Sequence, residues 1–151
     1  MMKWGFRLIG LILICGLLSG CSLWKEVNTS LDYVNEATTY VERIKTFSEQ
    51  VPAMAREAAT DPAVRQNLLS EIEALKTAIV QFNGIEAPAF ARDVHKQLVG
   101  YNETLLKEVN IFFEGIKNNT GIDLSKLADS PLMQTMNQIT ETLTRIQQLG
   151  G

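Results

Sequence analysis

The side chain best suited to covalent chemistry in this sequence is the thiol of Cys21, which follows Leu18, Ser19 and Gly20. A thiolate is a strong nucleophile and can accept a diacylglyceryl group as a stable thioether. The small Ser19 and Gly20 allow a peptidase to bind an extended backbone next to the cysteine. Leu18, Ser19, Gly20 and Cys21 therefore read as the cleavage motif of a bacterial lipobox, and we predict Cys21 as the lipidation site.

The residues before this motif have the order of a signal peptide. Lys3 and Arg7 supply positive charge, and an apolar run follows from Leu8 to Leu18. This run is shorter than the roughly 18 to 20 apolar residues that span a bilayer core. We predict a lipoprotein signal peptide over residues 1–20. The alternatives are an uncleaved anchor helix or an ordinary secretory signal with a chance cysteine.

Acylation of Cys21 would make membrane lipid a partner of this chain. Each buried methylene of a palmitate-like chain adds roughly 0.8 kcal/mol of membrane affinity, so two or three chains hold firmly. We expect a protein lipid-anchored to the extracytoplasmic face of the cell membrane, with residues 21–26 as a lipidated tether. Leu23 and Trp24 either lie at the headgroups or simply start the first helix.

His95, the only histidine, is the other side chain to consider for catalysis. A lone histidine cannot form a His-rich metal site, and the sequence has no Glu-x-x-His pair of the di-iron type. We interpret it as a histidine at the boundary of a helix. An enzyme that combines His95 with a distant acid stays a minor hypothesis.

The acidic residues offer no convincing catalytic or metal site either. Two pairs invite comparison with paired carboxylates: Glu71 with Glu73, and Glu103 with Glu108. Spacings of two and five place the members of each pair on different helical faces. The segment with Asp123 and Asp129 lacks the alternating oxygen ligands of an EF-hand. We therefore predict no catalytic residue, no metal and no cofactor, and expect that the protein is not an enzyme.

The rest of the chain is predicted to be helical. Apolar residues recur at steps of three and four, as on helices that pack against neighbours. The first helix should run from about Val27 to Gln50, with Pro52 interrupting it and residues 53–59 continuing beyond a kink. Its apolar residues are Tyr33, Ala37, Tyr40, Ile44, Phe47 and Val51, widened by Val27, Leu31, Val34 and Val41.

Three further helices should start at prolines. Asp61 and Ser130 precede two of these prolines as capping residues, and the third start is at Pro88. Their apolar residues are Val64, Leu68, Ile72, Leu75, Ile79 and Phe82; then Phe90, Val94, Leu98, Tyr101, Leu105, Phe112 and Ile116; and finally Met136, Ile139, Leu143 and Ile146. Residues 122–128 should form a loop with one helical turn, and Asp123 should cap that turn. Leu124 and Leu127 of this segment should contact the core.

Together these patterns predict an all-α fold. It is an antiparallel bundle of about four helices, following the helix of the signal peptide, and residues 27–151 form its single domain. Because the net charge is −3 and phosphate backbones bind basic surfaces, we expect no nucleic-acid partner. Once the leader is cleaved, no free thiol remains for a disulfide or a metal.

The sequence resembles a family of small uncharacterised lipoproteins of Gram-positive spore-forming bacteria. The resemblance covers nearly the whole chain, and its motifs follow one another in the same order. They are the lipobox, residues 26–28 and 30–37, 60–62, 82–83, 86–88 and 101–106. It implies an exported lipoprotein on the outer face of the cytoplasmic membrane, and it brings no activity or ligand.

From the predicted fold and the lack of a recognisable active site, we expect a non-enzymatic module that interacts with an envelope protein or a wall component. The alternative is a helical carrier that binds a small apolar or peptide ligand between its helices. Tyr33, Tyr40 and Tyr101 are the residues expected to line such a site. Aromatic residues at this spacing are more often part of a core.

Overall fold

A computed structural model describes residues 20–120 and 124–149, with side chains described for 31–120 and 126–149. The predicted leader, apart from Gly20, lies outside these residues. The helices in chain order are α1 (Gly20–Ala58), α2 (Pro62–Asn83), a 3-10 helix (Ala89–Ala91), α3 (Arg92–Asn118), a second 3-10 helix (Leu124–Asp129), α4 (Pro131–Glu141) and α5 (Leu143–Gln148).

The predicted all-α bundle is confirmed, and the described residues contain no strand. Helix α1 packs against α2, α4 and α5, and α3 packs against α2 and α4. Helices α4 and α5 follow one another with a single residue between them, so together they serve as the fourth helix of the bundle. Within the described part of the chain, no helix combines the length and hydropathy needed to cross a bilayer.

The predicted apolar faces form one core. All six residues of the main face of α1 are buried, from Tyr33 to Val51. The face of α2 is buried from Leu68 to Phe82, and Val64 packs half-buried beside it. Burial of these side chains removes their apolar surface from water, at roughly 25 cal/mol per Å². Without any cysteine inside the core, packing of this kind stabilises the fold.

Helix α1 differs from the prediction at both ends. It starts at Gly20 rather than near Val27, so the backbone of the predicted tether, residues 21–26, is helical. It also continues through Pro52 to Ala58, where an interruption was expected. A proline removes one backbone hydrogen bond and crowds the preceding turn. Val51 and Ala55 are buried on either side of Pro52, and their packing offsets this local cost.

The predicted caps of α2 and α4 are confirmed. The Asp61 carboxylate accepts hydrogen bonds from the backbone N–H groups of Ala63, at 2.8 Å, and Val64. The Ser130 hydroxyl accepts one from the N–H of Met133 at 3.3 Å. Each of these bonds satisfies a donor that has no partner within its own helix.

The start of the third helix was predicted wrongly. Pro88 precedes a 3-10 helix, and α3 begins only at Arg92. Pro88 has no side-chain capping group, and no side-chain cap is present at this 3-10 helix. Without an acceptor for the free N–H groups, the chain forms the tighter 3-10 turn before the α-helix begins.

The last helix is interrupted at Thr142, where a single helix was expected. The Thr142 side chain is buried, and its hydroxyl donates a hydrogen bond to the Ile139 carbonyl oxygen at 2.6 Å. Such bonds compete with regular helical hydrogen bonding. The predicted turn in residues 122–128 is a 3-10 helix that extends to Asp129, with Leu127 buried as expected. Asp123 and the Leu124 side chain lie outside the described residues.

Three predicted core positions are corrected. Leu31 and Phe90 are exposed, by 46% and 41%. On α3, Tyr101 is only half-buried, whereas the adjacent Asn102 is completely buried. The reason is helical geometry, because Asn102 follows Leu98 by four residues and precedes Leu105 by three.

Candidate functional site

The predicted lipidation site belongs to the first turn of α1. Cys21 is the second residue of this helix, and Leu18 and Ser19 lie outside the described residues. The first buried side chain described on α1 is Tyr33. At roughly 1.5 Å per residue, the helix rises about 18 Å from Cys21 to Tyr33. One continuous helix therefore connects the predicted anchor to the packed body.

Where α1 enters the body, five aromatic side chains form a cluster that we call the ring cluster. Its members are Tyr33, Tyr40, Phe82, Phe90 and His95. The Tyr40 and Phe82 rings stack with centroids 4.2 Å apart. His95 lies 5.1 Å from Phe82 and 5.8 Å from Tyr33, and Tyr33 meets Phe90 edge-on at 6.4 Å. These distances are those of favourable aromatic packing, so the cluster ties α1 and α2 to the start of α3.

A buried polar network adjoins the ring cluster. The Tyr40 hydroxyl donates a hydrogen bond to Oδ1 of Asn102, and Nδ2 of Asn102 donates one to Oδ1 of Asn83 at 2.7 Å. Burial raises the pKa of Tyr40 above its ordinary value, and the bond to Asn102 opposes that rise only in part. The phenol is therefore neutral at physiological pH and acts as a donor. The network connects one side chain from each of the first three helices.

Two polar atoms of the ring cluster are buried without a hydrogen-bond partner among the described residues. They are the hydroxyl oxygen of Tyr33 and Nδ1 of His95. Burial raises the pKa of Tyr33 to about 12. Burial likewise lowers the pKa of His95 below its ordinary value. Burial thus favours the neutral form of His95, which packs against the rings of Tyr33 and Phe82.

The three tyrosines predicted to line a carrier site have different surroundings. Tyr101 is a half-buried residue of α3, and its hydroxyl accepts a hydrogen bond from Nε2 of Gln97 at 2.9 Å. Oε1 of Gln97 in turn accepts one from Arg145 on α5, at 2.6 Å. Tyr33 and Tyr40 both contribute to the core instead. Tyr101 therefore helps to join α3 to α5.

A shallow groove lies between α1 and α2 next to Tyr40. Its volume is about 460 Å³, and Tyr40, Phe82, Ile85 and Arg43 are among its lining residues. Neither Tyr33 nor Tyr101 lines it. Tyr40 and Phe82 are almost fully buried, so they offer a ligand only their edges.

The acidic pairs considered from the sequence lie on the surface. Glu71, Glu73 and Glu103 are exposed and Glu108 is half-buried. Glu73 forms a salt bridge with Lys76 at 3.1 Å. Among the described residues, no group of three or more His, Cys, Asp or Glu side chains is arranged to hold a metal ion.

A second and larger groove was not predicted from the sequence. It has a volume of about 640 Å³ and lies between α3 and residues 126–132, which include the end of the second 3-10 helix and the start of α4. We call it the Ile111 groove. Its lining residues are Glu108, Ile111, Phe112, Lys126, Leu127, Asp129, Ser130, Pro131 and Leu132. Ile111 is 68% exposed, the largest exposed fraction among the large apolar side chains that the structure describes as exposed.

Two features of the sequence could have revealed what was missed. Asn102 occupies a position at which the apolar spacing of α3 requires a core residue. Ile111 lies beside that spacing, directly before Phe112, so a helical projection places it off the core face. The position of Asn102 therefore predicts a buried polar group, and the position of Ile111 predicts an apolar side chain outside the core.

Comparison with known proteins agrees with the resemblance noted from the sequence. A family described as "Family of unknown function (DUF6376)" matches residues 33–149, a region that begins at the first described buried side chain. The "Uncharacterized lipoprotein YybP" of Bacillus subtilis (strain 168) is 34% identical over 137 residues, covering 89% of this chain and 92% of that protein. No solved structure is significantly similar to the chain. The chain therefore belongs to the family of unknown function DUF6376.

Proposed function

We propose that this protein is an exported lipoprotein, anchored through acylated Cys21 to the outer face of the cytoplasmic membrane, whose helical body binds another envelope protein without catalysing a reaction. The anchor is supported by the lipobox at residues 18–21 and by the similarity to a protein named as a lipoprotein. Two or three acyl chains would give stable attachment.

The observation that carries the interaction role is the exposed apolar side chain of Ile111 above a groove of about 640 Å³. A groove with apolar walls offers a place for the apolar side chains of a bound peptide segment. His95 packs against the rings of Tyr33 and Phe82, and burial lowers its pKa, which is typical of a histidine that contributes to packing.

Site-specific photo-crosslinking in living cells tests the interaction role. A photoreactive amino acid would replace Ile111, Val80 or Gln50, three exposed positions on different helices, in the full-length chain. We expect at least one position to give a discrete crosslinked product that contains a second envelope protein and that disappears in the Cys21→Ser variant. If crosslinks form only to lipid at all three positions, the interaction role is wrong, whereas protein crosslinks that persist in Cys21→Ser would contradict only its dependence on the anchor.

A carrier is the second candidate, and one observation favours it. The groove of about 460 Å³ beside Tyr40 is bordered by the apolar Phe82 and Ile85 together with Arg43. Phe82 and Ile85 would contact the apolar part of a ligand, and Arg43, beside Glu36 in the same groove, would pair with an acidic group. Binding of a fluorescent fatty acid that is lost in Ile85→Glu but kept in Val80→Glu would support the carrier. Equal binding by both variants would exclude this groove as the site.

A further inference from the structure

The Ile111 groove lies far from the predicted anchor. His95 belongs to the ring cluster, where α1 enters the body, and Ile111 follows it on α3. At roughly 1.5 Å per residue, α3 rises about 24 Å between these two residues. The helix from Cys21 to Tyr33 adds to this separation. A bilayer that holds Cys21 is therefore not positioned to cover the groove, which favours a protein segment as its occupant.

The groove has the apolar interior that such a segment requires. Phe112, Leu127 and Leu132 are buried side chains of the core that also line the groove. Ile111 and Pro131 are both exposed and line it from α3 and α4. An amphipathic helix or short apolar peptide binds in grooves of this kind through a few anchoring side chains.

The charges in the groove indicate the chemistry of the occupant. Glu108 and Asp129 line it from α3 and from the end of the second 3-10 helix. Lys126 also lines the groove, but it has an interaction of its own within the chain. Asp129 directly precedes Ser130, the N-cap of α4. Its negative charge therefore lies next to the partial positive charge at the start of that helix.

We infer that the Ile111 groove is the docking site for an apolar peptide segment flanked by lysine or arginine, carried by another envelope protein. Apolar side chains of the segment cover Ile111, and its basic flanks pair with Glu108 and Asp129. This inference deepens the proposed function and rests on it. The acidic net charge of the chain favours the same class of partner over a polyanion.

A designed pair of peptides tests the inference directly. Both are fluorescent amphipathic helices with the same leucine face, and they differ only in carrying lysine or glutamate at the flanks. Binding to the full-length acylated protein in neutral detergent is followed by fluorescence anisotropy, with protein-free micelles as the blank. We expect the lysine peptide to bind at least about tenfold more tightly than the glutamate peptide, and increasing salt to reduce this preference.

Three variants make the result specific to the groove. Ile111→Glu should weaken binding of the lysine peptide at least about tenfold, whereas Val80→Glu, at an exposed apolar position outside the groove, should leave it unchanged. Replacing Glu108 and Asp129 together by lysine should reverse the preference toward the glutamate peptide.

Equal affinity for the two peptides, or equal loss in Ile111→Glu and Val80→Glu, would overturn the inference. The proposed interaction with an envelope protein would still stand if the photo-crosslinking experiment gives protein crosslinks from Val80 or Gln50. Absence of protein crosslinks from every position would instead reject the proposed function, whatever the peptides do. The two failures are therefore distinguishable.

Discussion

The hydroxyl of Tyr40 on α1 donates a hydrogen bond to the side-chain oxygen of Asn102 on α3, and Asn102 has no exposed surface. The two residues are 62 positions apart in the sequence. Because Asn102 also donates to Asn83 on α2, the amide has a partner on each of the two neighbouring helices. A buried amide with both groups satisfied fixes how three helices align, since any shift along their axes would leave it without partners.

Replacing Tyr40 by phenylalanine should therefore destabilise the protein. The change leaves Oδ1 of Asn102 buried without its donor, which costs about 1 to 3 kcal/mol. Tyr33→Phe is the matched control, because the Tyr33 hydroxyl is buried with no partner among the described residues. Its removal should be neutral or slightly stabilising. Urea denaturation followed by circular dichroism measures both, and equal losses in the two variants would contradict the role of the network.

The core on α1 should respond strongly to loss of volume. Ile44 has no exposed surface, so Ile44→Ala removes buried methyl groups and leaves a cavity, at a cost of about 2 to 5 kcal/mol. Val80→Ala, at a position 61% exposed on α2, should change the unfolding free energy by less than about 0.5 kcal/mol. A small effect at Ile44 would show that the apolar seam of α1 does not form the core.

The start of α2 depends on the side chain of Asp61. Asp61→Ala removes the acceptor of two backbone N–H groups and should cost about 1 kcal/mol of stability. Asp61→Asn keeps an acceptor oxygen at the same position and should retain most of that contribution. The shift in thermal unfolding temperature of each variant provides the measurement. If both variants lose the same stability, charge rather than capping is responsible.

His95 should make stability depend on pH in a defined direction. Burial lowers the pKa of His95 in the folded state, so the unfolded chain takes up a proton more readily. Its contribution is complete above the ordinary histidine value of about 6.5 and is lost as the pH falls from there toward the folded value. The urea midpoint of the wild type should fall between about pH 7.5 and about pH 5.5, and His95→Gln should show a smaller fall. A steeper fall in His95→Gln would contradict the assigned direction.

Much of this fold could be predicted because its helices have regular apolar spacing and capped proline starts. Tyr33 to Val51 on α1 and the cap at Asp61 are examples, since each depends on residues close together in the sequence. Helical structure after Pro52 was predicted, but the lack of an interruption at Pro52 was not, because burial of Val51 and Ala55 against other helices outweighs the local cost. The sequence predicts local preferences, and this balance depends on tertiary packing.

The candidate sites were harder to predict than the fold. The lipobox is a contiguous motif, so Cys21 could be proposed from four residues. The Ile111 groove combines α3 with residues 126–132, and its shape depends on how two distant segments pack. The Tyr40–Asn102 bond likewise joins residues 62 positions apart. Spacing along one helix identifies neither feature, because both depend on the alignment of different helices.

The central claim is that Cys21 carries the lipid that holds this protein at the membrane, and membrane partitioning tests it most directly. Full-length wild type and Cys21→Ser would be expressed in a Gram-positive host that processes lipoproteins, and separated into membrane and soluble fractions. Mass spectrometry would examine the N-terminal peptide. We predict that the wild type is cut before Cys21, acylated there and recovered with the membrane, whereas the serine variant keeps its leader and carries no lipid. A wild-type product without acyl groups on Cys21 would contradict the claim that this cysteine carries the lipid. A product that stays equally membrane-bound after its lipid is released would contradict the claim that the lipid holds the protein at the membrane.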